Sequence, residues 1–316
     1  MGRVLIFRAS PAFCDQILAI VRIGAWMNDK PRRLRHPPWL KVRMPHGGDY
    51  AEVKQLVRTY GLHTVCQSAR CPNIGECWGG RTATFMLLGE VCTCKCGFCA
   101  VQSGRPVPPD PEEPARIGRA VRQLGLRYAV ITSVTRDDLE DGGAIHFAQT
   151  IQQIRLHTPN CRVEVLIPDL LGDREALNII VRARPDVLNH NIETVARLYP
   201  TVRPQADYKR SLHVLRCAKE LDGDLTTKSG IMRGLGETTN EVQHTMQDLR
   251  AVDCDLLTIG QYLQPSHRHL PVQRYVPPRE FYQLQKSGEA MGFQHVEAGP
   301  LVRSSYHAAK QAASVK

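Results

Sequence analysis

Between Cys66 and Cys99 the chain gathers seven of its eleven cysteines, at spacings that suit metal ligation. The first set, Cys66, Cys71 and Cys77, follows C-x4-C-x5-C. The second, Cys92, Cys96 and Cys99, follows C-x3-C-x2-C, with Cys94 inside it and the aromatic Phe98 directly before its last member. Thiolates are soft donors, and a short loop lowers the entropic cost of bringing three of them together. A set of three also leaves one coordination position open, which suits chemistry better than a closed structural site. The bland alternative is structural zinc, which usually closes with a fourth Cys or His. Cys94 is the available fourth thiol, but it would have to close a very small ring with Cys92 or Cys96. It is therefore expected to be a bystander, or a competing ligand during assembly.

These loops need elements to hold them, and the pattern from residue 82 onward supplies them. Short apolar runs predict strands at 83–88, 128–134, 163–167, 187–192, 228–232 and 256–262. Amphipathic windows near 112–124, 143–156, 173–183, 207–221, 238–251 and 278–291 predict helices; in the second, Ile145, Ala148, Ile151 and Ile154 share a face. Six β/α units in sequence imply parallel strands with right-handed crossovers. The sheet could stay open and doubly wound; a partial TIM-like (β/α)6 barrel is the favoured α/β architecture. Loops after the strands then carry Thr135–Asp138, Asn191–Glu193, Gly234–Glu237 and Gln264–Ser266, at the end where such folds bind ligands. Upstream, 27–49 reads as an extended arm ending in a turn at Gly47-Gly48, and 50–60 as a helix closed by Gly61.

Charge and compartment narrow the function classes. The net charge is +10, and residues 1–43 carry +7 of it, so the remaining chain is nearly balanced. A basic arm could touch nucleic acid or an acidic partner, but a solvated arm is the expected reading and no RNA-binding module is visible. No apolar run approaches the roughly eighteen residues of a membrane span. Residues 2–25 are apolar but broken by Arg8, Asp15 and Arg22, which argues against a signal peptide. Met27 opens a more typical polar segment, so the first 26 residues read as an upstream extension. The odd, clustered cysteine count fits reduced thiols in the cytoplasm.

In its place after a first strand, the Cys92–Cys99 loop resembles that of the radical S-adenosylmethionine (SAM) superfamily. The first set, with Arg70, Pro72, Asn73, Gly75, Glu76 and Trp78 around it, resembles the lipoyl synthase family within that superfamily. The likeness recurs through residues 50–308: Thr132–Leu139 with Asp141-Gly142-Gly143, His190–Thr194, Lys228–Met232, Gly260–Ser266 and Arg303–Tyr306. Residues 1 to about 45 are expected to lie outside it.

The resemblance implies two 4Fe-4S clusters and SAM as cofactors. Cys92, Cys96 and Cys99 would hold the SAM-binding cluster. Cys66, Cys71, Cys77 and Ser305 would hold an auxiliary cluster that is the sulfur source. A hydroxyl oxygen is a harder, poorer match for cluster iron than thiolate, so a labile fourth iron fits a cluster that must be dismantled. Thr132 and Ser133 would meet the methionyl amino group, Asn191 and Glu193 the ribose, and Arg203 the carboxylate, with Phe98 beside them. For Glu193, a carboxylate at a helix N-terminus is the competing reading. Arg233 departs from the family, where an apolar residue usually follows this methionine; its guanidinium would bend into the barrel mouth, or the strand would end one residue early.

The implied activity is radical insertion of sulfur at the sixth and eighth carbons of a protein-bound octanoyl chain. Implied partners are octanoylated lipoyl carrier domains of 2-oxoacid dehydrogenase acyltransferase subunits and of the glycine cleavage H protein. An electron donor such as flavodoxin or ferredoxin, and an iron-sulfur carrier for cluster repair, complete the set. The implied segments are a flexible arm at 1–45, an auxiliary-cluster segment at 46–81, the barrel at 82–292 and a C-terminal segment at 293–316. The rivals are a radical SAM enzyme modifying a tRNA base and a zinc-stabilised nucleic-acid-binding protein; bound iron and sulfide against bound zinc separates the latter.

Overall fold

Parallel strands buried on both faces need helices on the outside, and the chain alternates accordingly. The computed structural model describes residues 35–42, 48–80 and 82–314. After α1 (Gly48–Thr59), strand β1 (His63–Thr64) runs into two short helices, α2 (Val65–Ser68) and α3 (Ile74–Gly79), that with the turn between them carry the first cysteine set. Six β/α units follow: β2 (Thr84–Leu87) and α4 (Glu113–Gln123), β5 (Tyr128–Ser133) and α5 (Ala144–His157), β6 (Arg162–Leu166) and α6 (Arg174–Arg182). Then come β7 (Val187–Asn189) with α7 (Tyr199–Val202) and α8 (Tyr208–Leu221), β8 (Thr226–Arg233) with α9 (Thr239–Arg250), and β9 (Leu256–Gln261) with α10 (Pro278–Ala290). The ribbon of β3 (Val91–Cys92) and β4 (Gln102–Ser103) flanks the second cysteine loop. Strand β10 (His295–Gly299) and α11 (Ala308–Ala313) end the described chain.

The main sheet has the order β1-β2-β5-β6-β7-β8-β9-β10, with β1 antiparallel to β2 and every other pairing parallel. Among the described residues no ladder joins β1 to β10, so the barrel is partial, as expected. Two expectations need correction. The sheet does not stop at residue 292: β10 adds a seventh parallel strand, pairing His295 with Leu256 through Gly299 with Gly260. Strand β7 ends at Asn189 rather than 192; beyond it a single bridge among the described residues, Glu193 to Ile231, continues its line, and Glu193 adopts a left-handed φ of 64°.

Of the expected arm at 1–45, only 35–42 is described. There Leu40 is buried, and His36 meets Tyr275 edge to face at 5.5 Å. The rest of the expected arm and Gly47 lie outside the described residues; Gly48 opens α1 instead of forming a turn. Gly61 follows α1 with a left-handed φ of 57°, as a C-cap should.

Inside the barrel, Lys228 and Glu164 are both fully buried and paired at 2.9 Å. Tyr128 donates its hydroxyl to the other Glu164 oxygen at 2.7 Å, and Asn189 Nδ2 donates at 3.1 Å. Outside, α9 opens with a capping box in which Thr238 Oγ1 accepts from Glu241 N and Glu241 accepts from Thr238 N. The Arg197 guanidinium, then the Thr238 amide, hold the Glu241 carboxyl at about 2, below its ordinary 4.5. A carboxylate whose pKa is depressed by folding stabilises above its unfolded value and loses that contribution as pH falls through the folded one. Glu241→Gln is therefore expected to cost about 1 kcal/mol at pH 7, after solvent screening, with the difference vanishing toward pH 2. Urea titrations of both proteins across that range check it.

Candidate active site

At the carboxyl ends of the strands lies a cavity of about 560 Å³. Both cysteine triads, Phe98, Thr132, Ser133, Asn191, Glu193, Arg203 and Ser305 all line it. Residues quoted from distant parts of the sequence thus meet in one place.

The second cysteine loop is held from three sides. Gly97 N donates to Val202 O at 3.0 Å, Leu270 N donates to Gly97 O at 2.9 Å, and Thr93 N donates to Thr135 O at 3.0 Å. The His269 ring, 2.9 Å from Ser266 Oγ, places Nε2 2.9 Å from Cys99 O. Cys94 is not turned away: it lines the same cavity, with Sγ 4.0 Å from Asp137 Oδ2. Its thiol, then the Arg203 charge, favour the Cys96 thiolate against burial and draw that pKa below the usual thiol value. Burial pushes Cys99 up to about 11.

The first triad is built on α2 and α3. Trp78, fully buried, packs against Tyr50 at 5.4 Å and anchors α3. Burial raises Cys66 and Cys71, and burial with the charges of Cys66 and Cys71 takes Cys77 to about 12. Thiols held protonated must release protons to a metal, so loading of these sites is favoured by higher pH. The C-terminal segment reaches this triad through Asn73 Nδ2, which donates to Leu301 O at 2.7 Å, and through Glu76. Tyr306 donates its hydroxyl to Glu76 at 3.1 Å, and His307 Nε2 lies 3.1 Å from the same carboxylate. The Ser305 hydroxyl has no hydrogen bond among the described residues. Gly260 makes the approach possible: a Cβ there would sit 2.1 Å from Val302 O. Gly260→Ala is expected to displace residues 301–306 and cost about 1–3 kcal/mol, measured by denaturant titration.

On the opposite wall, Thr132 Oγ1 is committed to Leu166 O at 2.8 Å, whereas Ser133 Oγ is buried without a partner. Asn191 Nδ2 donates to Glu193 Oε1 at 3.0 Å and to Ser304 Oγ at 2.6 Å. Burial raises the Glu193 pKa, opposed by Arg203 and Asn191. Glu193 lies in no helix N-terminal turn, so the helix-terminus reading does not hold. Arg203 Nη1 donates to Asn191 O and to the Tyr199 hydroxyl, each at 3.2 Å, and its buried Nε has no partner.

Two residues quoted in motifs gain a place without having been assigned one. His190 lines the cavity, Nδ1 2.9 Å from Ile167 O and Nε2 buried without a partner; burial, then Arg203, lower its pKa to about 4, leaving it neutral at pH 7. Arg303 also lines the cavity; burial depresses its pKa, opposed by Cys71 and Glu193. Only the motif around each marked them, since neither forms a local pattern. Arg233 is a correction on both counts: β8 runs through it, and its guanidinium leaves the mouth for Glu237 at 2.9 Å and Glu280 at 4.0 Å.

The donor set fits two iron-sulfur clusters: two groups of three unpaired thiols, with a free hydroxyl beside the first. The orphaned Ser133 Oγ and Arg203 Nε are the donors expected to meet a polar ligand beside the second.

Comparison with known proteins gives three results. Residues 86–249 match the radical SAM superfamily, and residues 23–71 match the N-terminal domain of lipoyl synthase of that family. The likeness therefore begins near residue 23, not 45. The chain is 61% identical over 284 residues to a lipoyl synthase of Rubrobacter xylanophilus, covering 89% of this chain and 88% of that one. It is 56% identical over 275 residues to one from Caldanaerobacter subterraneus subsp. tengcongensis, covering 87% and 96%. Among solved structures, a methylornithine synthase superposes with a TM-score of 0.54 at 12% identity, covering 77% of this chain and 68% of that one, a likeness of fold alone.

Proposed function

Because this chain belongs to the lipoyl synthase family of radical SAM enzymes, we propose that its two cysteine triads divide one reaction between them within a single cavity. The reaction is sulfur insertion at the sixth and eighth carbons of a protein-bound octanoyl chain, with SAM and two 4Fe-4S clusters as cofactors. When bound, these groups supply the hydrogen-abstracting radical and the sulfur, chemistry that no side chain can perform on unactivated C–H bonds.

The residues supply position and exclusion of water. Cys92, Cys96 and Cys99 hold the SAM-binding cluster, leaving one position for SAM. Arg203, buried and with Nε free, meets its carboxylate by a charge-assisted hydrogen bond. Ser133, rather than the committed Thr132, offers the free hydroxyl toward the amino group, and Asn191 and Glu193 take the ribose. Phe98 walls the loop. Cys66, Cys71, Cys77 and Ser305 hold the auxiliary cluster. Met86, Ile231 and Val302 give the shared cavity apolar walls for an octanoyl chain.

The observation that carries this reading is that both triads and Ser305 line one cavity, within reach of one substrate chain. The test is anaerobic incubation of the reconstituted chain with SAM and an octanoylated carrier domain. The expected product carries two sulfurs in place of two hydrogens, with two 5′-deoxyadenosine formed per lipoyl group. Deoxyadenosine without sulfur in the carrier would sink it.

Lipoyl carrier domains are the substrates in general, and an electron donor is required. At the finer level the reading extends to 2-oxoacid dehydrogenase acyltransferase subunits and glycine cleavage H protein as carriers. It also includes flavodoxin or ferredoxin as donor and an iron-sulfur carrier for repair. Free thiols at all ten described cysteines support a reducing, cytoplasmic setting, and no helix among the described residues is long and apolar enough to cross a membrane.

A further inference from the structure

Ser304 and Asn191 lie 113 residues apart and meet through both polar atoms of the asparagine side chain. Asn191 Nδ2 donates to Ser304 Oγ at 2.6 Å, and Ser304 Oγ donates to Asn191 Oδ1 at 2.9 Å. The same Asn191 is the node of the opposite wall, donating to Glu193 and accepting on its backbone from Arg203. Ser304 directly precedes Ser305, whose hydroxyl is free. Gly230 makes the meeting possible: a Cβ there would lie 2.7 Å from Asn191 Oδ1, 2.8 Å from Thr258 Oγ1 and 3.1 Å from Ser304 Oγ. The contact is thus a fitted one, beneath which no side chain can stand.

We infer that Ser304 is a positioning residue that couples the two halves of the cavity, so that filling the auxiliary site tightens the binding of SAM. The inference rests on the assignment of the two triads and of Asn191 and Glu193 given above. With iron on Ser305, the turn at 303–306 is fixed at both ends, and the Ser304 hydroxyl holds the Asn191 amide in one orientation. Without it, the segment 301–306 is tied to the first triad's elements, among the described residues, through Asn73 and Glu76, and Ser304 holds the Asn191 amide less firmly. Linkage makes the effect reciprocal: SAM must favour retention of the auxiliary cluster by the same factor.

The test is a thermodynamic cycle on the full chain, reconstituted anaerobically, with SAM affinity read by equilibrium dialysis and iron counted in each sample. The four proteins are wild type, the Cys66/Cys71/Cys77→Ala variant, Ser304→Ala, and the combination. Loss of the first triad is expected to weaken SAM binding roughly fivefold or more in the wild-type background, and less than about twofold in the Ser304→Ala background. Gly230→Ala, which parts the pair while keeping both polar groups, is expected to abolish the coupling in the same way and guards against a folding effect of the serine change. An equal factor with and without the Ser304 hydroxyl, or no factor in wild type despite loss of about four iron, overturns the coupling and leaves the triad assignment standing. Undiminished iron in the Cys66/Cys71/Cys77→Ala variant overturns the assignment, and the coupling with it.

Discussion

Reconstituted under anaerobic conditions, the chain is expected to bind about eight iron, and a Cys92/Cys96/Cys99→Ala variant about four, with SAM cleavage abolished. The effect is total because no other described group can replace these ligands. Cys94 lines the same cavity, but one thiol among three alanines cannot hold a cluster. The two triads occupy separate elements, the first on α2, α3 and the turn between them and the second at the end of β3 and in the loop after it, so removing one leaves the other's scaffold intact. Four iron in the wild type and none in the variant would leave the first triad structural, and sulfur insertion from it would have to be abandoned. Iron, sulfide and 5′-deoxyadenosine measured on the same samples separate these outcomes.

Lys228→Met is expected to destabilise the fold by about 3–5 kcal/mol, the largest stability effect of a single change here. The pair with Glu164 is completely buried, and deletion of the ammonium strands a carboxylate that, among the described residues, only Tyr128 and Asn189 still meet. The cost lies in that stranded charge, not in the attraction lost. Adding Glu164→Gln to Lys228→Met should therefore recover much of the loss, since an amide needs no counter-ion. Denaturant titrations of the two variants decide it; a double variant no better than the single one would mean that packing, not charge, sets the cost.

The alternation of apolar runs and amphipathic windows made the six β/α units legible, because β2 and the strands β5 to β9 are each buried over most of their length. Strand β10 escaped notice since His295, Glu297 and Gly299 alternate with only two apolar residues, and its burial is supplied by pairing with β9 rather than by its own composition. The triads were legible from spacing alone. The proposed fourth auxiliary donor, Ser305, was legible only by resemblance, because its segment approaches the first triad through the tertiary contacts of Leu301 with Asn73 and of Tyr306 with Glu76. Side-chain direction was least legible. Arg233 leaves the mouth because Glu237 and Glu280 wait on the outer side, and Glu193 enters the cavity because its backbone turns left-handed.

The order in which ligands leave the ribosome follows from the route of the chain. Cys92, Cys96 and Cys99 emerge together, so the proposed SAM-binding loop would have its full donor set in one short stretch of synthesis. On the assignment proposed above, the auxiliary site would draw three donors from before that loop and its fourth from Ser305, which follows β10 in the chain. At roughly 5–20 residues per second, that last donor arrives tens of seconds after the first three. During that interval the Cys66 triad has already been made but, on this assignment, would lack its fourth donor. On that assignment, a cluster loaded before the chain is finished would stay open-edged until Ser305 arrived to cap it.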